Sequence, residues 1–255
     1  MSVPAEITGV WRRERITTPD GLNDVTTRVY WVQSLSWYGD IRLRADVPRR
    51  AGATRFADFS DAELVELARA EGFAGLLSVT PDLCAWRRDL DFQPPGPVPD
   101  EGTWALSGDT LVERGVHVAY EEIWRLEPDS GGLRAAFAPA GGQGLLVIAG
   151  DHFLMTGGRH KDPRGESLAD LVASELAAGR RAQAEALLDM PIAYGRVAAG
   201  WRVSLSTLPW REGQTLWEAP PRFEADRLVF PDGETWALLE TNVPSEQLAA
   251  LFSEP

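Results

Sequence analysis

A chain of 255 residues with 25 Lys and Arg against 38 Asp and Glu carries a formal charge of −13. Phosphate binding needs clustered cations, so this balance argues against a nucleic-acid binder, and equally against docking on an anionic membrane. No apolar stretch approaches the roughly 20 residues of a spanning helix, and the N-terminus lacks the basic start and apolar run of a signal peptide, so the expected location is the cytoplasm.

Most of the chain reads as short strands broken by turn residues. In the first half, strands are expected around Trp11, over Thr27–Gln33 and around Ile41, where β-branched and aromatic residues gather. Ser60-Asp61-Ala62-Glu63 is a capping box, with Phe59 and Leu64 placed as a hydrophobic staple, so a helix starts there and Gly72 stops it. Further strands follow at Phe73–Leu77, Trp86-Arg87, Thr103-Trp104, Asp109–Val112 and Tyr120–Leu126, with 94–99 (Pro-Pro-Gly-Pro-Val-Pro) an extended loop between them.

The second half repeats this order. Strands at Leu133–Phe137, Leu145–Ile148 and His152–Thr156 precede a helix that opens at Ser167, with Gly179 placed to split it and Pro191 to end it. Strands follow at Ile192–Gly195, Trp201-Arg202, Leu216-Trp217, Asp226–Val229 and Glu234–Glu240. Asp226-Arg227-Leu228-Val229 echoes Asp109-Thr110-Leu111-Val112, and the turn-rich run 127–132 forms the seam. The expected fold is therefore mainly β: two tandem antiparallel barrels, residues 1–128 and 129–255, each with one inserted helix. One open sandwich of all the strands is the alternative.

Tyr120–Pro128 closing the first half, with Tyr38–Leu43, Glu113–Gly115, Gly144–Ala149, Ile192–Gly195 and Ser206–Trp210, resembles the fungal family of interactors of a casein kinase I homologue and its bacterial relatives. The resemblance runs over nearly the whole chain. It implies two lipocalin-like barrels and brings no catalytic residues with it. Gly9-Val10-Trp11 is also similar to the lipocalin Gly-x-Trp signature, which implies that Trp11 closes one barrel end under Arg125 as a cation–π cover. The glycine-rich continuation of the similar haem barrels is missing, so haem is not expected and no cofactor is assigned.

Ten Trp are more readily explained as barrel core than as a pocket. If barrel one is hollow, its ligand-binding residues are expected to be Trp31, Gln33, Arg42, Trp86, Arg87, Glu113, His117, Tyr120 and Trp124. Among these, Arg42, Arg87, Glu113 and Tyr120 would form a polar cluster able to orient a carboxylate or amide. The charged members could equally form buried ion pairs or face solvent. Cys84, His117, His152 and His160 have no metal-ligand spacing, so no metal is expected. Gly157-Gly158-Arg159-His160-Lys161 reads as an exposed basic loop.

Three functions are consistent with this pattern. The leading one is a barrel binding a small apolar or aromatic molecule, or a short peptide. The second is an isomerase, cyclase or lyase using Arg42, Glu113, His117 and Tyr120. The third is a scaffold with filled barrels, acting through its surface or as a homodimer. A cavity of a few hundred Å³ inside the first barrel favours the first two, and a packed interior counts against both.

Overall fold

A computed structural model describes residues 3–141, 143–159, 163–165 and 167–253. The first half consists of β1 (Gly9–Thr17), β2 (Asn23–Asp24), β3 (Arg28–Gln33), β4 (Trp37–Leu43), α1 (Asp61–Leu67), β5 (Glu71–Val79), β6 (Cys84–Asp91), β7 (Asp100–Ser107), β8 (Thr110–Gly115) and β9 (Glu121–Leu126). Each long strand pairs antiparallel with the next, and β9 returns to β1 from Trp11↔Leu126 to Thr17↔Glu121. The eight-stranded barrel is closed. The two-residue β2 rides on the end of β1.

Strand alternation sends Trp11, Trp31, Trp86 and Trp124 inward, where Trp31 meets Trp86 and Trp124 edge-on at 5.7 and 5.8 Å and Trp11 at 6.4 Å. An aromatic side chain buries about 150–250 Å², which at about 25 cal/mol per Å² is worth roughly 4–6 kcal/mol each. The tryptophans are thus principally the barrel filling.

The second half consists of β10 (Arg134–Pro139), β11 (Gly144–Ala149), β12 (His152–Gly157), α2 (Leu168–Ala177), α3 (Arg181–Leu188), β13 (Ile192–Arg196), β14 (Arg202–Ser206), β15 (Arg222–Glu224), β16 (Arg227–Val229), β17 (Thr235–Thr241) and α4 (Ser245–Ala250). Its sheet has the order β14-β13-β12-β11-β10-β17-β16-β15, and β14 does not pair with β15. The sheet is therefore open, and the expected second closed barrel does not form. The segment between the two edges holds one isolated bridge, Arg202↔Thr215, and the strand expected at Leu216-Trp217 is absent. Pro220 and Pro221 cannot donate to a ladder, which leaves β15 only three residues.

The gap is filled by α4. Leu248 and Phe252 pack against Phe137, Trp201 and Phe223, and Trp201 Nε1 donates to the Leu251 carbonyl at 3.2 Å. One helix per half is thus an undercount: Gly179, at φ 71, separates α2 from α3 as expected, and α4 is an addition. The gap falls where the first barrel has its shortest pairing, the three residue pairs joining β6 to β7.

The halves share one core. Val10, Val32, Ile41 and Leu43 on the outer wall of the barrel pack against Leu145, Val147, Leu154 and Ile192, under a lid of α1, α2 and α3. A Cβ on Gly39 would lie 2.4 Å from Leu154 Cδ2, so glycine lets the sheet approach the barrel wall. Tyr30 stacks on Tyr194 at 4.1 Å across the same seam. At the rim, the Glu240 carboxylate accepts from the backbone N–H groups of Leu35, Ser36 and Trp37 at 2.8, 2.9 and 3.1 Å.

Candidate functional site

The antiparallel course places the connections 18–27, 44–70, 92–99 and 116–120 at one end of the barrel. The other end carries short turns and is closed by residues 3–8, with Ile7 buried and its carbonyl accepting from Trp11 Nε1 at 2.7 Å. This bond replaces the Trp11–Arg125 cover implied by the resemblance. Arg125 follows the inward Trp124, so alternation turns it outward, where it pairs with Asp109 at 2.6 Å.

Inside, the barrel changes from apolar to charged along its axis. Toward the open end Arg13 pairs with Glu122 at 2.6 Å and Asp24 at 3.4 Å. Arg42 bridges Asp40 at 2.8 Å and Glu122 at 3.5 Å, with its guanidinium 5.0 Å from the Phe73 ring centre. Arg88 lies 3.5 Å above the same ring and pairs with Asp91 at 3.2 Å and Asp100 at 2.6 Å. Glu113 takes a different set of partners: the Tyr120 hydroxyl at 2.6 Å and Trp124 Nε1 at 3.2 Å. Two glycines make room for it. A Cβ on Gly102 would sit 2.9 Å from Glu113 Cγ, and one on Gly115 would sit 2.4 Å from the Tyr120 ring.

Burial dominates the ionisation of this cluster. It pushes the Glu113 carboxyl up to about 8, reinforced by the charge of Glu122 on the adjacent strand, so Glu113 is largely protonated at neutral pH. Asp40 is pushed up to about 6 by burial, with Arg42 opposing. Burial raises Asp91 as well, against the pull of Arg88, and raises the Tyr120 phenol together with the neighbouring Glu113. Burial would discharge Arg42, but Asp40 and Glu122 more than offset it, and its pKa lies well above the ordinary arginine value.

Of the residues expected at a site, Arg42, Trp86, Glu113, Tyr120 and Trp124 come together here. Trp31 sits beneath them in the packed core. Gln33 is buried at the closed end, accepting from Trp31 Nε1 at 3.1 Å, away from the cluster. Arg87 faces out and pairs with Asp89, because Trp86 and Arg88 take the inward positions. His117 belongs to the rim loop and binds Glu101 at 2.8 Å, so it does not share a strand face with Glu113. Arg13, Arg88, Asp91, Asp100 and Glu122 complete the cluster and were not expected at the site. Arg13 stands two residues after Trp11 on the same inward face, a readable signal. Asp91 was not readable, since a β-bulge after Arg88 turns it inward. His160 and Lys161 of the basic loop lie outside the described residues.

The interior of the first barrel is packed, which counts against a ligand or substrate held inside it. The space among Trp31, Tyr38, Phe73, Trp86 and Trp124 and the neighbouring Asp40, Arg42, Asp100 and Glu113 amounts to about 10 Å³, room for one water at most. Two clefts open instead at the charged end. One, of about 480 Å³, is walled by Trp86, Tyr120, Val98, Val118 and the 95–99 loop, with Arg88, Asp91 and Asp100 at its floor. The other, of about 700 Å³, is polar and lies between Arg13, Asp24, Arg44, Arg69 and Glu71. Five of the six large apolar residues that stand exposed among the described residues (Leu22, Val25, Val98, Val116 and Val118) are on loops of this end.

In the second half His152 donates from Nε2 to the Pro128 carbonyl at 2.9 Å and accepts at Nδ1 from Tyr194 at 2.8 Å. Burial lowers its pKa, so it serves as a neutral strut. Among the described residues no group of His, Cys, Asp and Glu is arranged to hold a metal ion, and no helix is long and apolar enough to cross a membrane. Comparison of the chain with protein-family models, with curated proteins and with solved structures finds no match.

Proposed function

We propose that this protein binds a small amphipathic organic molecule at the open end of its closed barrel, in the cleft walled by Trp86 and Tyr120. The observation that carries the reading is the cleft itself: about 480 Å³, of ligand size, with aromatic and aliphatic walls beside the paired charges of Arg88, Asp91 and Asp100. Buried ion pairs seldom stabilise a fold more than apolar filler of the same size would, so retaining this many in one barrel end points to a use for them. Val98 and Val118, exposed apolar residues that line the cleft, point the same way.

The likeness to tandem lipocalin-like barrels and an origin by duplication form part of the proposal. They are supported by the matching strand order, with a helical insertion after the third barrel strand of each half. The test is native mass spectrometry of protein purified from its own cells. A retained small molecule that disappears in Trp86→Ala supports the reading. A bare protein mass, together with no fluorescence rise on adding the neutral amphiphilic dye Nile red, contradicts it.

A proton-transfer enzyme is the second reading, favoured by the bond of 2.6 Å from Tyr120, on the cleft wall, to the deeper Glu113. For the retained molecule, chemical change that Tyr120→Phe abolishes while binding persists supports it. Recovery of the molecule unchanged after long incubation with the wild type contradicts it.

A further inference from the structure

The charges at the open end of the barrel do not balance. Arg13, Arg42 and Arg88 share five carboxylates, namely Asp24, Asp40, Asp91, Asp100 and Glu122. Glu113 makes a sixth acid, and among the described residues no cation lies within ion-pair distance of it; its partners are a phenol and an indole. At the rim, Glu101 has His117. The barrel end is thus short of positive charge where the cleft enters it.

The aromatic wall adds a second, independent element. A ring face attracts a cation within about 6 Å, and more strongly when the cation is desolvated. Trp86 and Tyr120 both line the cleft, with Asp100 below them. Arg88 does not fill this role, since it is already seated on Phe73 and held by Asp91 and Asp100.

We infer that the cleft takes an organic cation, an ammonium or amidinium group on an aromatic or branched apolar body, lodged against Trp86 and Tyr120 within reach of Asp100. The inference rests on the binding reading above and names its ligand class. A neutral ligand would leave the charge deficit as it is, and an anion would deepen it. A cation arriving at Asp100 also favours the ionised form of Glu113, one layer further in, so binding near neutral pH should release a proton. The groups facing Glu113 that set this response are Glu122, Arg42, Asp100, Tyr120 and the buried Cys84 thiol.

Isothermal titration with three probes of one shape tests this: (2-naphthylmethyl)trimethylammonium, 2-naphthylmethanol and 2-naphthylacetate, in two buffers of different ionisation enthalpy. The expected result is that the cation binds about tenfold or more tighter than the other two and releases close to one proton at pH 7. Asp100→Asn should remove the preference for the cation, and Glu113→Gln should abolish the proton release. Equal or tighter binding of the alcohol or the carboxylate by the wild-type protein overturns the inference and leaves the binding reading standing. Failure of all three probes to bind overturns both. Neither outcome depends on a variant that has to fold.

Discussion

Glu113→Gln should stabilise the protein more at pH 8 than at pH 6, the difference being about 2 kcal/mol. A carboxyl that titrates near 4.5 in the unfolded chain and about 8 in the folded one binds a proton in the native state that the unfolded state has lost. Stability therefore falls as pH rises between these two values, by about 1.4 kcal/mol per pH unit at the steepest. From pH 6 to pH 8 the wild type should lose about 2 kcal/mol through this group alone. Asp40, pushed up to about 6, has finished most of its own change by the start of that window. Glutamine keeps the shape and an acceptor for Trp124 Nε1, and cannot ionise. Urea unfolding at half-unit steps from pH 6 to pH 8 is the assay. The gap between the two stability curves should widen by about 2 kcal/mol from the acid end to the basic end. Parallel curves would show that Glu113 ionises normally and would remove the charge-deficit reasoning.

Trp31→Ala opens a void between Trp11, Trp86 and Trp124 and should cost about 3–5 kcal/mol, seen as a large drop in melting temperature; a small drop would mean the barrel centre is loosely packed. Glu240→Ala strips the acceptor from three backbone N–H groups and should cost about 2–3 kcal/mol, with faster amide exchange at Leu35, Ser36 and Trp37. Burial pushes the Cys84 thiol up to about 12, so iodoacetamide should leave it unmodified at pH 8 and alkylate it after addition of urea.

Much of the first barrel was legible because it follows local rules. The Ser60–Glu63 capping box starts α1 where expected: Ser60 N–H donates to Glu63 Oε2 at 2.7 Å and Glu63 N–H to Ser60 Oγ at 3.4 Å. Period-two alternation from Trp31 and Asp40 put the right faces inward. What the sequence hid depends on contacts far apart in the chain. Closure of the second sheet fails at Pro220-Pro221, and α4 fills the gap, a matter of tertiary space rather than strand propensity. Arg88, by contrast, stands two residues after the inward Trp86, so alternation tells it from Arg87, a signal the choice of Arg87 as a site residue passed over. The Trp count indicated core rather than a pocket, and the indoles fill the barrel interior. The site consequently sits one layer higher, at the rim, where Val98 and Val118 looked like ordinary loop residues.

The central claim, that the ligand sits at the rim of the first barrel, is tested most directly by the indole N–H resonances of the ten tryptophans. Titration of ¹⁵N-labelled protein with (2-naphthylmethyl)trimethylammonium, or with the retained molecule once known, should shift Trp86 most and Trp124 next. Trp201 and Trp217, in the second half, should stay in place. Principal shifts at Trp201 and Trp217, or at Trp11 near the closed end, would put the ligand elsewhere and contradict the account.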